Sequence, residues 1–458
     1  MGKDLTGVRS PHRKHMPDKV GSDIDVPTSL RGIAEKASLN KRHRLRDLYR
    51  LLNTEMLHLA WRGLKKSAAI ADTDITVKQY GEQLEANLEG LVERLKQKRY
   101  RAKLVKRRYI PKGNGKQRPL GIPALEDKLV QKAAAMVLTT IYEQDFLDGS
   151  YGYRLGKGAK DAVSDLGFQL QYGVYGYIVE ADIKGYFDNI DHAKLLSLME
   201  RRIDDRAFMR LVAKWLKAGI LEPDGKVKHP VAGTPQGGIV SPILSNIYLH
   251  YVLDEWFQEA VKPRLAGRAV MCRYADDWVC AFQYREDAER FYRVLPKRLG
   301  RYELQVEPNK TKIVRFSRFH PSRERSRTFT FLGFEFYWFA DRQGTTRVRR
   351  RTAPSSQRKA LERMKGWLKA NRHLPKRQYF AMLKRKLIGH YNYFYVNGNS
   401  RAVWGFYGIT IECARKWLNR RSQRRSYTWA KFNRVLAYVG IPKPRPTEKK
   451  RLHQCALG

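Results

Sequence analysis

The chain has 458 residues, 42% of them hydrophobic, which is enough for two to four buried cores. It carries 90 Lys and Arg against 45 Asp and Glu, a formal charge of +45, which points to a polyanionic partner such as nucleic acid. No apolar run reaches the roughly 18 residues of a membrane span. The polar first 25 residues offer no signal core, and four scattered cysteines make neither a zinc ribbon nor a disulfide framework. A reducing, cytoplasmic setting is expected, with the oligomeric state left open.

In chain order, residues 1–50 are polar, broken by Pro11, Pro17, Gly21 and Pro27, and are expected to be disordered. Leu52, Met56, Leu59 and Leu64, then Tyr80, Leu84, Leu88, Leu91 and Leu95, predict two helices. Residues 98–118 hold ten Lys or Arg and no acid. Within them Gly113-Asn114-Gly115 predicts a hairpin turn flanked by Lys112, Lys116 and Arg118. Such a hairpin is either a solvated basic surface or a grip for a triphosphate or a strand backbone. An Ala-rich buried helix is expected over 129–142. A buried strand over Tyr177–Ile183 carries Asp182 near its end, where a lone Asp is also an ordinary cap. Helices follow near 192–201 and 205–218, then a Pro223-Asp224-Gly225 hairpin. The glycine-rich loop 233–238 lacks the Gly-Lys-Ser/Thr ending of a P-loop, and Ser241-Pro242 opens a helix through Trp256.

The next stretch, Arg273-Tyr274-Ala275-Asp276-Asp277-Trp278, lies between the β-prone runs 269–272 and 278–282. It predicts a hairpin with two adjacent carboxylates at its tip. That is either a solvated turn or a divalent-cation site, since neighbouring negative charges repel unless a cation is shared. A helix over 286–299, a strand over 303–306, a turn at 308–311 and strands over 312–314 and 329–337 complete the region. From Asp341 to Arg434 there are 25 Lys or Arg against three acids, a helical pattern and many aromatics. Most of those aromatics suit a core, and the basic residues on the opposite faces suit phosphate.

Asp182 and the Asp276-Asp277 pair stand on separate β elements about a hundred residues apart, as catalysts that hold two cations about 4 Å apart require. The ordered motifs resemble those of reverse transcriptases encoded in bacterial group II introns. They are Arg118-Pro119-Leu120-Gly121-Ile122-Pro123, Ala181-Asp182-Ile183-Lys184-Gly185-Tyr186-Phe187-Asp188, Gly233 to Gly238, Tyr274-Ala275-Asp276-Asp277, Lys310-Thr311-Lys312 and Phe331-Leu332-Gly333-Phe334. Leu387-Ile388-Gly389-His390-Tyr391 and Trp417-Leu418-Asn419-Arg420-Arg421 resemble the family's thumb and maturase region.

The resemblance implies an α/β (α+β) right-hand polymerase fold. Residues 51–340 would form fingers and palm, residues 341–440 an all-α thumb and maturase domain, and residues 441–458 a short tail. It implies RNA-directed DNA synthesis with two Mg²⁺ ions, dNTPs, an RNA template and a DNA primer, and binding of group II intron RNA to assist splicing and retrohoming. Asp182, Asp276 and Asp277 would be catalytic metal ligands. Lys116, Arg118, the backbone at Ile183, Phe187 as steric gate, and Gln236 would surround the dNTP. Lys310, with Lys312 as rival, would donate a proton to pyrophosphate. Gly333 would admit the primer backbone. Arg385, Lys386, Arg415, Lys416, Arg420 and Arg421 would bind RNA. The paired cysteines of an HNH endonuclease, present in many relatives, are missing, so cleavage of target DNA in cis is not expected. A splicing-only RNA-binding protein and a reverse transcriptase domesticated for phage defence or a CRISPR locus share these motifs.

Overall fold

The computed structural model describes residues 27–65, 76–112, 116–234, 237–319, 327–421 and 427–445. Its strands are β1 (Val105–Lys112), β2 (Lys116–Ile122), β3 (Tyr177–Ala181), β4 (Ile220–Leu221), β5 (Val227–Lys228), β6 (Ala269–Tyr274), β7 (Asp277–Phe282), β8 (Lys312–Arg315), β9 (Phe329–Phe331), β10 (Phe334–Ala340) and β11 (Thr346–Thr352). With the helices around them they make an α+β chain. It divides into two units, one of Met1–Phe146, Tyr153–Gly156 and Phe187–Tyr248, the other of Leu147–Gly152, Lys157–Tyr186 and Leu249–Gly458.

The first unit is built on the helix Leu125–Tyr142. Leu129, Val130, Ala133, Ala134, Val137, Leu138 and Ile141 are all fully buried there. The small Ala faces let helices Thr28–Leu39 and Thr54–Arg62 approach closely. Asn53 caps the latter by accepting from Met56 N at 2.9 Å. β1 and β2 form the basic hairpin, with Lys112 opposite Lys116, in a sheet of order β2-β1-β4-β5.

Residues 27–50 correct the expectation of disorder, since they hold a helix and a short 3-10 turn (Tyr49–Leu51). The cause lies some 160 residues away. Arg202, 2% exposed, donates to the carbonyls of Ala37, Asn40 and His43 at 2.8–2.9 Å and to Asp145 at 2.8 Å. A buried guanidinium thus satisfies the orphan carbonyls at the helix end. Residues 1–26 lie outside the described part.

The second unit holds an antiparallel sheet of order β6-β7-β3-β8 and a three-stranded sheet of order β11-β10-β9. Helix Ala159–Tyr172 supplies Ala162, Val163, Leu166 and Leu170 to one core with Ile178, Val279, Ala281, Val314, Phe316, Phe329 and Phe336. Phe329 and Phe336 stack at 4.8 Å. Helix Arg285–Gly300 also packs on the first sheet, and Phe291 meets Trp278 edge-on. Four helices follow, Pro354–Ala370, Lys376–Phe394, Ser400–Asn419 and Trp429–Tyr438, with a core of Leu368, Tyr379, Leu383, Leu387, Val403, Ala414 and Phe432.

Three local expectations change in this unit. Residues 303–306 make no strand, only a bridge from Val306 to Ile183. The helix opened by Ser241 is α-helical to Leu249 and then winds in π turns, His250–Glu255 and Phe257–Val261. The helical C-terminal segment begins at Pro354, because Thr346–Thr352 alternates β-compatible residues and completes a ladder along β10.

Candidate active site

β6 and β7 pair from Ala269↔Phe282 to Tyr274↔Asp277, leaving Ala275 and Asp276 as a two-residue turn. Such a turn needs a left-handed residue, and Ala275 supplies it at φ 55°, at a strain of about 1 kcal/mol. β7 continues onto β3, with Trp278 opposite Ala181. Asp182, one residue beyond Ala181, therefore emerges beside Asp277. Sheet register sets Asp182 beside the sequence-adjacent pair Asp276-Asp277, near enough for their charges to act on one another.

The segment after Asp182 turns back on the chain. Asp182 O accepts from Glu307 N at 2.8 Å, Ile183 bridges Val306, and Lys184 N donates to Gln305 O at 2.9 Å. The 3-10 turn Pro308–Lys310 then delivers the Lys310 ammonium to the Asp182 carboxylate. That partner raises the Lys310 pKa. Asp277 keeps exposed surface, yet protein crowding its carboxylate pushes its pKa up to about 6. The charges of Asp276 and Asp182 add to this, and Lys310 opposes it.

Lys310 and Lys312 part company here. Lys312 Nζ lies 2.9 Å from Glu180 Oε2, and Glu180 Oε1 accepts from Thr330 N on β9 at 2.5 Å. Lys312 thus serves a buried carboxylate that ties the β6-β7-β3-β8 sheet to the β9–β10 hairpin, while Lys310 faces the acidic cluster. Sequence reasoning missed Glu180, although its place two residues before Asp182, on the same strand face, was a usable signal.

Gly333 forms the β9–β10 turn with Leu332, at φ 77° and 49°. Tyr393 OH donates to Leu332 O at 3.0 Å, and Ala353 N to Gly333 O at 2.9 Å.

In the other unit, exposed Arg118 stands on β2 opposite Ile110, and Lys116 begins that strand. The half-buried Phe187 lies in a 3-10 turn, Tyr186–Asp188. Its carbonyl accepts from Thr234 N at 2.8 Å, and Gly233, at φ 90°, sits so close to Phe187 and Asp188 that a Cβ would meet their oxygens at 2.9–3.0 Å. Gln236 lies outside the described residues.

The six basic residues of the C-terminal helices fall into two groups. Arg385, Lys386, Lys416, Arg420 and Arg421 are exposed, Lys386 lying over Trp367 and Arg420 over Trp417. Arg415 stacks on Trp429 at 4.2 Å, and Arg421 donates to the carbonyls of His373 and Leu374 at 3.2 and 3.0 Å. These last two hold helices together.

Residues 110–336 match the sequence profile of the family described as "Reverse transcriptase (RNA-dependent DNA polymerase)". That span contains every expected residue of the acidic cluster, the basic hairpin and the β9–β10 turn, and ends before the C-terminal helices. Among curated proteins, the group II intron-encoded protein LtrA of Lactococcus lactis subsp. cremoris is 38% identical over 224 residues, which are 48% of this chain and 37% of LtrA. Protein YkfC of Escherichia coli (strain K12) is 34% identical over 298 residues, 58% of this chain and 75% of YkfC. The chain belongs to the group II intron reverse transcriptase/maturase family. A 91 kDa protein in the cob intron of Schizosaccharomyces pombe is a further relative, 37% identical over 215 residues, 46% of this chain and 26% of that protein. The matched stretch thus spans little more than a third of LtrA and about a quarter of the yeast protein.

Proposed function

We propose that this member of the family is an RNA-directed DNA polymerase with a right-hand arrangement of fingers, palm and thumb, and that it binds group II intron RNA to assist splicing and retrohoming. The observation that carries the polymerase reading is the acidic cluster of Asp182, Asp276 and Asp277, assembled by the register of β3, β7 and β6. Among the described residues no three His, Cys, Asp or Glu side chains already converge as a metal site, and the cation that faces Asp182 is the Lys310 ammonium. The donor set nevertheless fits a hard divalent cation. It is all carboxylate oxygen, and burial, joined by the charges of Asp276 and Asp182, raises the proton affinity of Asp277. Asp182, Asp276 and Asp277 would hold two Mg²⁺ ions. Magnesium held by these residues would supply Lewis acidity, which would make a primer 3′-hydroxyl more acidic and offset charge on pyrophosphate.

The chain's own residues supply the rest. Arg118 and Lys116 hold the triphosphate, with the Ile183 backbone at its border. Phe187 closes the space a ribose 2′-hydroxyl would need. Lys310, kept protonated by its carboxylate partner, gives a proton to the leaving pyrophosphate. Gly333 presents a backbone without a side chain to the primer. Arg385, Lys386, Lys416 and Arg420 contact RNA phosphates, and Arg415 and Arg421 keep the helices that carry them in place.

Asp276→Ala should abolish primer extension on an RNA template while leaving RNA binding in a gel-shift assay intact. Extension by that variant at the wild-type rate would remove the assignment.

A further inference from the structure

Directly behind the acidic turn lies a buried charge that the proposed chemistry does not use. The Arg273 side chain on β6 is 0% exposed and that of its partner Asp254 2%. Arg273 Nε and Nη2 donate to the two Asp254 oxygens at 2.7 and 2.5 Å. Nη2 also donates to Ser150 Oγ at 2.8 Å, and Nη1 to Ala275 O at 3.0 Å. One guanidinium therefore joins the π-helical turn His250–Glu255, the strap 149–152 and the turn residue that precedes Asp276.

The backbone repeats the connection. Arg273 N donates to Gly149 O and Tyr151 N to Arg273 O, both at 2.8 Å, so the strap runs as a short parallel partner of β6. Its glycines are there because nothing else fits. A Cβ on Gly149 would lie 2.5 Å from Met271 O, and one on Gly152 2.2 Å from Ala275 N.

Stability alone does not account for this arrangement. A buried ion pair is commonly no better than apolar residues of the same volume. A forked guanidinium adds direction, because its donors are fixed in one plane. The captured carbonyl belongs to the peptide plane that also contains the Asp276 nitrogen. Holding that oxygen fixes where Asp276 begins, at a turn strained by the left-handed Ala275.

We propose that Arg273 is a positioning residue for the acidic turn, acting with Asp254 and the Gly149–Gly152 strap to hold Asp276 and Asp277 opposite Asp182. The catalytic consequence rests on the polymerase reading, whereas the cation-binding consequence does not.

Two variants of the full chain test it beside the wild type. Arg273→Lys keeps the charge that neutralises Asp254 but cannot fork to Ala275 O and Ser150 as well. Gly152→Ala leaves every charge in place and pushes on Ala275 N. In both, kcat for primer extension should fall about a hundredfold with KM for dNTP and RNA affinity unchanged, as expected for a displacement of about 1 Å. Mn²⁺ affinity of the free protein, read by electron paramagnetic resonance, should fall about tenfold. Should Arg273→Lys fail to fold, Gly152→Ala and Ser150→Ala, which removes one leg without burying an unpaired acid, carry the same expectations. Wild-type kcat and Mn²⁺ affinity in a folded variant would overturn the proposal, as would a loss of kcat matched by an equal loss of RNA affinity. If the wild type fails to extend primers, the polymerase reading falls, and the Mn²⁺ titration still decides the brace.

Discussion

The Asp277 carboxyl and the His390 imidazole are both pushed toward their uncharged forms, for different reasons. Asp277, with its pKa raised from 3.8 to about 6 by crowding and by like charges, opposes folding when ionised. That opposition is full above about pH 6 and fades as pH falls below it. His390 stacks on Phe406 at 3.6 Å, and its Nε2 has no hydrogen-bond partner. Burial lowers its pKa from 6.5 to about 4. The unfolded chain therefore takes up a proton near pH 6.5 while the folded chain stays neutral down to about 4, so stability is full above the first value and drains between the two. His390→Phe should melt close to the wild type at about pH 7.5 and several degrees higher than the wild type at about pH 5. Equal melting temperatures at the lower pH would show that the ring is not held neutral.

At the scale of elements, the joint between β11 and the C-terminal helices depends on one side chain. Asn399, 1% exposed, accepts from Thr352 N at 2.8 Å and donates to Thr352 Oγ1 at 2.8 Å and to Phe394 O at 2.7 Å. Its amide satisfies a strand end and a helix end together, and the helix it joins carries Tyr393, which holds the Leu332–Gly333 turn. Asn399→Ala leaves those groups buried and unpaired and should destabilise the protein by about 2 kcal/mol, read as a lower urea midpoint. The loss should exceed that of Gln343→Ala, an exposed side chain in the β10–β11 loop.

For the whole molecule, the proposed binding to RNA should weaken with salt according to the number of phosphates that its 90 Lys and Arg neutralise. Four exposed cations, Arg385, Lys386, Lys416 and Arg420, are a small share of the 90, so neutralising them tests a local footprint against a general field. Changing all four to Gln should weaken RNA binding and flatten the dependence of log affinity on log salt by about 0.7 for each phosphate that is no longer neutralised. An unchanged slope would assign the RNA to another face. No described helix is long and apolar enough to cross a membrane.

The sequence by itself determined which residues are candidates for the proposed chemistry and in what order they stand. Asp182 at a strand end, Asp276-Asp277 at a hairpin, and the basic helices after Pro354 are local patterns of charge and periodicity, and the family follows from their order. The tertiary structure alone decided what each pattern touches. Lys310 and Lys312 are equivalent in the text, and only the fold separates them: the register of β8 on β3 sends Lys312 to Glu180, and the 3-10 turn before β8 delivers Lys310 to Asp182. Helix Thr28–Leu39 reads as disordered because its carbonyl partner, Arg202, is remote in sequence. Thr346–Thr352 reads as part of a basic helical segment because the strand that receives it is a separate element. Nothing in the local sequence marks Arg273, and only burial with Asp254 turns it inward. Local sequence records propensity and charge, whereas partner choice depends on contacts whose energy exists only once distant segments have met.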